Sequence, residues 1–342
     1  MEITPHVRKF VVLFALIAVV VGGWTVAWFW MRGTILAEMD TALAAMAAEG
    51  TEVSCPDRSA TGWPFRMEIA CAAPIASTRD GRVIRAKAVA ATWHIVDPKM
   101  VLAFAEGPVV VEGGGGASLV ATFETLRASL RLEDLETGRV SLEVATPKIS
   151  VNSDAADSAS LAELSAERLE AHVRPTPGQT DSLDLAATIL AFGGLAGEND
   201  ILPGSANAGI AATLSRVSLL GTPEGGRAWA AAGGTLTISE ATLAVGDTRI
   251  SAKGAGTVGP DGAATATLDA IATNIAWLTA AAQEGKPLPP ALAALGSAFL
   301  LLGRPMEGEG DPKALTIAVD EGAVSANGLA IVTLPSVFDA AP

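Results

Sequence analysis

Thiols, imidazoles and clustered carboxylates are the side chains that most often do chemistry, and this chain holds few of them in useful spacing. Its two cysteines, Cys55 and Cys71, stand 16 positions apart in CPDRSATGWPFRMEIAC. Zinc takes four ligands, so the pair would need partners. His94 and His172 are isolated in sequence, and there is no Cys/His cluster and no C-x-x-C redox motif. No G-x-S-x-G elbow occurs. Spacing alone leaves a Ser-His-Asp triad open, but each histidine lies in a strand-like run and reads as an ordinary strand residue. Gly113–Gly116 lacks the Lys-Ser/Thr and following helix of a phosphate loop, so it is expected to be a plain loop. The acidic stretch of Asp154, Asp157, Glu163 and Glu167 lacks EF-hand spacing and reads as a solvated loop and helix start. The expectation is a protein with no catalytic residues, no cofactor and no metal site, and therefore not an enzyme.

The cysteines follow a segment that decides which compartment they meet. Phe10 to Met31 is free of charge, and about 20 apolar residues suffice to span a bilayer as a helix. Trp24, Trp28 and Trp30 gather at its far end, where interfacial aromatics anchor a membrane helix. Arg8 and Lys9 flank the near end, so the positive-inside rule puts the N-terminus in the cytoplasm and the remaining chain outside. A cleaved signal peptide is the rival; its apolar core is usually shorter, and here Trp-Phe-Trp-Met-Arg stands where small residues would be cut. Thr34–Glu49 continues as a juxtamembrane helix, with Ile35, Met39, Leu43 and Met46 at three- and four-residue steps. The expected organisation is residues 1–33 as N-terminus and anchor, 34–50 as juxtamembrane helix, and 51–342 as an extracytoplasmic β-rich domain. In the oxidising compartment this implies, a Cys55–Cys71 disulfide is the default. Between the cysteines, Gly62-Trp63-Pro64 makes a turn, followed by a strand in which Phe65, Met67 and Ile69 alternate with Arg66 and Glu68.

The anchor, GWPFRMEIAC and the later AVAATWHIVDPKMVLAFAEGPVVV resemble the DUF2125 family, whose turn signature is matched by Gly62, Trp63, Pro64, Phe65, Arg66 and Cys71. The resemblance extends through AERLEAHVRPTPGQTDSLDLAATI to the C-terminal strands. It implies a single-pass envelope protein, of a kind found mainly in alphaproteobacteria, with no established activity.

Composition and pattern point to strands. Half the residues are hydrophobic but only 5% are aromatic, none is Tyr, and 35 glycines punctuate short alternating runs. Gly234 to Ile271 shows this best, with turns at Gly246-Asp247 and Pro260-Asp261-Gly262. Leu236 and Ile238 share one face, and Ile250, Ala252, Gly254, Gly256 and Val258 form an inner row. Asn274 to Gly303 reads instead as two helices split by Gly285–Pro290; the second either covers the open face of the sheet, plugs or lids a groove, or dips into the lipid interface. The fold expected is mainly β: long antiparallel meander sheets curled into a groove or sandwich, with an N-terminal transmembrane helix and a short helical pair near residues 274–303. The pattern also resembles, more loosely, the β-regions of AsmA-like envelope proteins.

The net charge of −14 becomes −16 once the first 33 residues, with three basic and one acidic side chain, are set aside. Such a domain repels phosphate backbones, which excludes nucleic acid as a partner. Two functions fit. In the first, an inner-membrane-anchored periplasmic protein binds or conveys lipid or another apolar ligand on an Ala/Val/Leu/Gly face. In the second, the core is fully packed and the protein is an envelope scaffold or protein-interaction module using its edge or acidic surface.

Overall fold

The computed structural model describes residues 5–113, 117–131, 138–153, 161–194, 205–221, 224–277 and 290–338. Most of the Gly113–Gly116 loop, Asp154 and Asp157, and, of the helical pair expected near 274–303, most of the first helix and Gly285–Pro289 of the break lie outside them. The protein is mainly β, and its chain divides into two compact units, Met1–Ser118 and Leu119–Pro342.

In the first unit the apolar segment and the juxtamembrane segment are one unbroken helix, α1 (Pro5–Ala48). From Lys9 onward it is long and apolar enough to cross a membrane. Gly50, at φ 95°, ends it, with its N–H on the carbonyl of Ala47 at 3.0 Å. That left-handed conformation is the usual stop for a helix and is cheap only for glycine. Six antiparallel strands follow: β1 (Thr51–Ser54), β2 (Asp57–Thr61), β3 (Arg66–Ala72), β4 (Ile75–Thr78), β5 (Val83–His94) and β6 (Asp97–Glu112). The long β5 pairs with β6 on one edge, and with β3 and β4 in turn on the other.

The second unit contains β7 (Ala117–Thr122, begun two residues earlier), β8 (Thr125–Arg131), β9 (Arg139–Ala145), β10 (Lys148–Ser153), β11 (Leu161–Ser165), β12 (Arg168–Pro175), β13 (Ser182–Phe192) and β14 (Ala206–Ser215). After the helix α2 (Gly225–Ala231) come β15 (Thr235–Val245), β16 (Thr248–Val258) and β17 (Ala264–Thr273). The helix α3 (Pro290–Leu302) precedes β18 (Arg304–Pro305), β19 (Lys313–Asp320), β20 (Ala323–Ala326) and β21 (Leu329–Thr333). Strands β8, β9, β12 to β17 and β19 to β21 pair in that order, all antiparallel, as a meander that does not close. The turns expected at Gly246 and Gly262 carry positive φ, as do those at Gly178 and Gly322.

The meander has two unlike faces because opposed residues share a face and successive residues alternate. One row runs Ala128, Leu142, Ala171, Ala187, Ile210, Ala241, Ala252, Ala270, Leu315 across nine strands. The next runs Leu130, Val140, Val173, Leu185, Ala212, Ile238, Gly254, Leu268, Ile317, Ala326. In β15 the apolar positions slip phase, from Leu236 and Ile238 to Ala241, Leu243 and Val245. A bulge at Ser239–Glu240 absorbs the extra residue, so the apolar face continues unbroken. At the β16–β19 end α3 covers this face: Phe299 is fully buried against Ile250, Ala272 and Leu315.

Candidate functional site

Three features could carry function: the turn between the cysteines, the polar face of the meander, and its apolar face. The turn is held by α1. Trp24, Trp28, Arg32, Leu36 and Asp40 recur every four residues, which places them on one side of a helix. The Trp24 indole N–H donates to the carbonyl of Pro64 at 2.7 Å, and that of Trp28 to Arg66 at 3.2 Å. Arg32 Nε donates to the carbonyl of Ala60 at 3.0 Å, and Arg58 pairs with Asp40 at 2.7 Å. The bond from Arg58 holds the Asp40 carboxyl below the usual carboxylate range. Between these rungs Trp28, Ala60 and Met67 are buried together, with Ile35, Leu36, Ile69, Trp93 and Ile95 packed around them. Strands β2 and β3 therefore run alongside the helix.

Within the turn, Arg66 N–H donates to the carbonyl of Gly62 at 3.0 Å, and Ile95 N–H to that of Phe65 at 3.0 Å. Gly62 sits at φ 110°, and a Cβ there would meet the Arg66 carbonyl oxygen at 2.6 Å, so only glycine fits. The Trp63–Pro64 bond is cis. Cys55 and Cys71 form a disulfide, with Cα atoms 5.7 Å apart. It closes the base of the β2–β3 hairpin. Of the three anchor tryptophans, Trp24 and Trp28 bond to the β-strand portion of their own unit, whereas Trp30 is exposed. The four-residue spacing from Trp24 to Asp40 was the available signal for this docking, masked by the aromatic cluster of a membrane helix.

On the polar face, His172 stands opposite Ser141, with Nδ1 and Oγ 2.9 Å apart. A hydroxyl beside an imidazole is the first half of a nucleophile–base pair, which needs a third group to orient the base. The nearest carboxylate in the next strand is Asp184, and its oxygens are taken: Thr176 donates at 2.9 Å, Thr213 at 3.0 Å and Arg174 at 3.2 Å. Those bonds, Thr176 first, hold its carboxyl below the usual value against partial burial. Ala186, not Asp184, faces His172. A depression of about 550 Å³ lies here, lined by Arg139, Ser141, His172, Arg174, Asp184 and Thr213 among others. His94 lies in the first unit at the end of β5, opposite Arg66 and Asp97. Among the described residues no three of His, Cys, Asp and Glu gather as a metal set.

The apolar face is the largest feature. Its two rows include no charged side chain, and Lys313, beside the α3 end, is the charge that stands on that face among the described strands. Nine strands at about 4.8 Å spacing make the row from Ala128 to Leu315 roughly 38 Å long. Across β12 to β15 its residues are half-buried, and Ile210 is 43% exposed.

The family model described as "Uncharacterized protein conserved in bacteria (DUF2125)" matches residues 28–335. The chain belongs to DUF2125. The match takes in the Gly62–Arg66 turn, the disulfide and the whole described meander, and begins at Trp28, the indole that docks the turn. No curated protein and no solved structure matches this DUF2125 chain.

Proposed function

We propose that this DUF2125 protein is a non-enzymatic, membrane-anchored envelope protein that binds or conveys an acyl chain or similar apolar ligand on the aliphatic face of its second unit. The observation that carries this is the continuous Ala/Val/Leu/Ile/Gly surface of β8 to β20, capped by α3 at one end and half-exposed over β12 to β15. Small aliphatic side chains leave a shallow surface against which a flexible hydrocarbon can lie, and burying apolar area contributes about 25 cal/mol per Å². The anchor reading rests on α1, and Arg8 and Lys9 favour a cytoplasmic N-terminus, with the disulfide in an oxidising periplasm and the anchor in the inner membrane.

Native mass spectrometry of the full chain, released from membranes in mild detergent, tests it. Bound lipid is expected on the wild type and is expected to be lost from Ile210→Glu. A wild type free of lipid would refute the proposal.

One observation favours the interaction-module alternative. The last strand, β21, is exposed along its whole length and carries Leu329, Ile331 and Val332 on the edge of the meander. An open apolar edge is a template for strand addition. Crosslinking in intact cells at Ile331 that captures one protein, and is abolished by Ile331→Pro, would support it; crosslinks to lipid alone would sink it.

A further inference from the structure

The Gly62–Arg66 turn lies lower on α1 than a head standing clear of a membrane would allow. Phe10 to Met31 is 22 residues of uncharged helix, about 33 Å at 1.5 Å per residue, which matches a hydrocarbon core of about 30 Å. The turn, however, is bonded to Trp24. Only Phe10 to Gly23 lies below it, 14 residues or about 21 Å, so the helix beneath the turn falls roughly 9 Å short of spanning the core. Helix tilt shortens the reach further.

We infer that the tip of the first unit, formed by Trp63, Phe65 and Val96, is immersed about 10 Å deep in the hydrocarbon of the leaflet on its own side, lying against the anchor helix. The inference rests on the membrane-anchor reading of α1. Three further features of the tip suit it to lipid. First, its side chains are apolar and exposed: Trp63 is 49%, Phe65 60% and Val96 74% exposed. Second, an apolar groove of about 620 Å³ separates the tip from Val20, Gly23 and Ala27 of the helix. A lipid acyl chain is the occupant that a membrane supplies at this depth.

Third, four of the five backbone carbonyls of the turn find donors within the protein. Those of Gly62, Pro64, Phe65 and Arg66 accept from Arg66 N–H, the Trp24 indole, Ile95 N–H and the Trp28 indole respectively. Irregular backbone is tolerated in hydrocarbon only when its polar groups find partners within the protein. On this account the two indoles are there to make the turn soluble in lipid. Charge resumes one layer up, where Arg66 lies opposite His94, His94 opposite Asp97, and Arg66 pairs with Glu68 at 3.3 Å. Four residues of helix separate Trp24, bonded to Pro64, from Trp28, bonded to Arg66, so this layer stands about 6 Å above the turn, near the edge of the hydrocarbon and within snorkelling reach of the headgroups.

Nitroxide labels at Val96→Cys, Val20→Cys and Lys87→Cys test the inference, in the full chain reconstituted into dioleoylphosphatidylcholine vesicles. The native cysteines are paired and take no label. Lys87 lies seven residues up β5 from His94, about 23 Å beyond that residue and farther still from the tip. The oxygen-to-nickel-chelate collision ratio is expected to be several-fold higher at Val96 and Val20 than at Lys87. A Val96 label open to nickel beside a lipid-protected Val20 label would overturn the inference and leave the anchor standing. Nickel access at both would remove the anchor reading and the inference together. Screening of Val96 from both reagents, with dipolar broadening between labels, would mean that a second copy covers the tip, and would overturn the inference.

Discussion

Trp28 is the residue on which the junction between helix and strands should depend most. Its indole is 3% exposed, fills the space beside Met67 and Ala60, and donates to the Arg66 carbonyl at 3.2 Å. Trp28→Ala removes a buried aromatic ring, which costs about 3–5 kcal/mol, and leaves the carbonyl without its donor. Trp28→Phe keeps most of the ring and loses the N–H, which costs about 1 kcal/mol. These costs should appear as local opening of the β2–β3 hairpin. Trypsin reads that opening at the Arg66–Met67 bond, because Met67 is fully buried and the bond is cleaved only when the junction parts. Where cleavage is slow against reclosing, its rate follows the open population. At tenfold per 1.4 kcal/mol, about 4 kcal/mol for Trp28→Ala predicts a roughly thousandfold faster cut, and Trp28→Phe roughly fivefold. The assay is limited digestion of the full chain in detergent micelles, read by mass spectrometry. Cleavage after Arg216, in the second unit, serves as the internal control and should not change. An alanine variant cut no faster than wild type would refute the docking. A phenylalanine variant as fragile as alanine would refute the division between ring and hydrogen bond.

Other consequences follow from single residues. Replacing both cysteines by serine should lower stability by about 3 kcal/mol, the chain-entropy value for a loop of this size, and a thermal melt with and without reductant should show the same loss in the wild type. Gly254→Ala should destabilise the second unit by about 1–3 kcal/mol by overpacking, since its Cβ would sit 2.0 Å from the carbonyl oxygen of Thr267; denaturant titration would show it. Asp184→Asn should lower the melting temperature at neutral pH. The folded carboxyl titrates below its ordinary 3.8, so its contribution is present above that value and is lost as pH falls through the folded pKa. Melts of variant and wild type should therefore converge in acid, and a gap that persists there would count against the charge-assisted bonds.

Much of the architecture was legible because it is written in local pattern. The uncharged run from Phe10 to Met31 specified a long helix, paired turn residues specified hairpins, and Leu236, Ile238 and Ile250 stood on the face the alternation gave them. The helix Pro290–Leu302 was readable from its length and apolarity. What was not legible depends on bonds between residues far apart in sequence. Trp24 and Trp28 carry the same local signal whether they meet headgroups or the carbonyls of Pro64 and Arg66, 40 and 38 residues away. The division at Ser118 leaves no break in the strand pattern. The β15 bulge could have been found from the slip between Ile238 and Ala241, but only by assuming that the apolar face continues. The Ser141–His172 contact depends on the register of β9 against β12, which neither strand specifies alone.

The central claim is that the aliphatic face of the second unit holds hydrocarbon. Photolysis of the full chain in vesicles doped with a diazirine-bearing phospholipid, followed by peptide mapping, tests it directly. The account predicts adducts on Leu185, Ile210 and Ile238 of the apolar rows, together with labelling of α1, and none on Thr188 or Thr213 of the opposite face. Adducts restricted to α1 and the tip at Trp63, Phe65 and Val96, with the meander unlabelled, would contradict it.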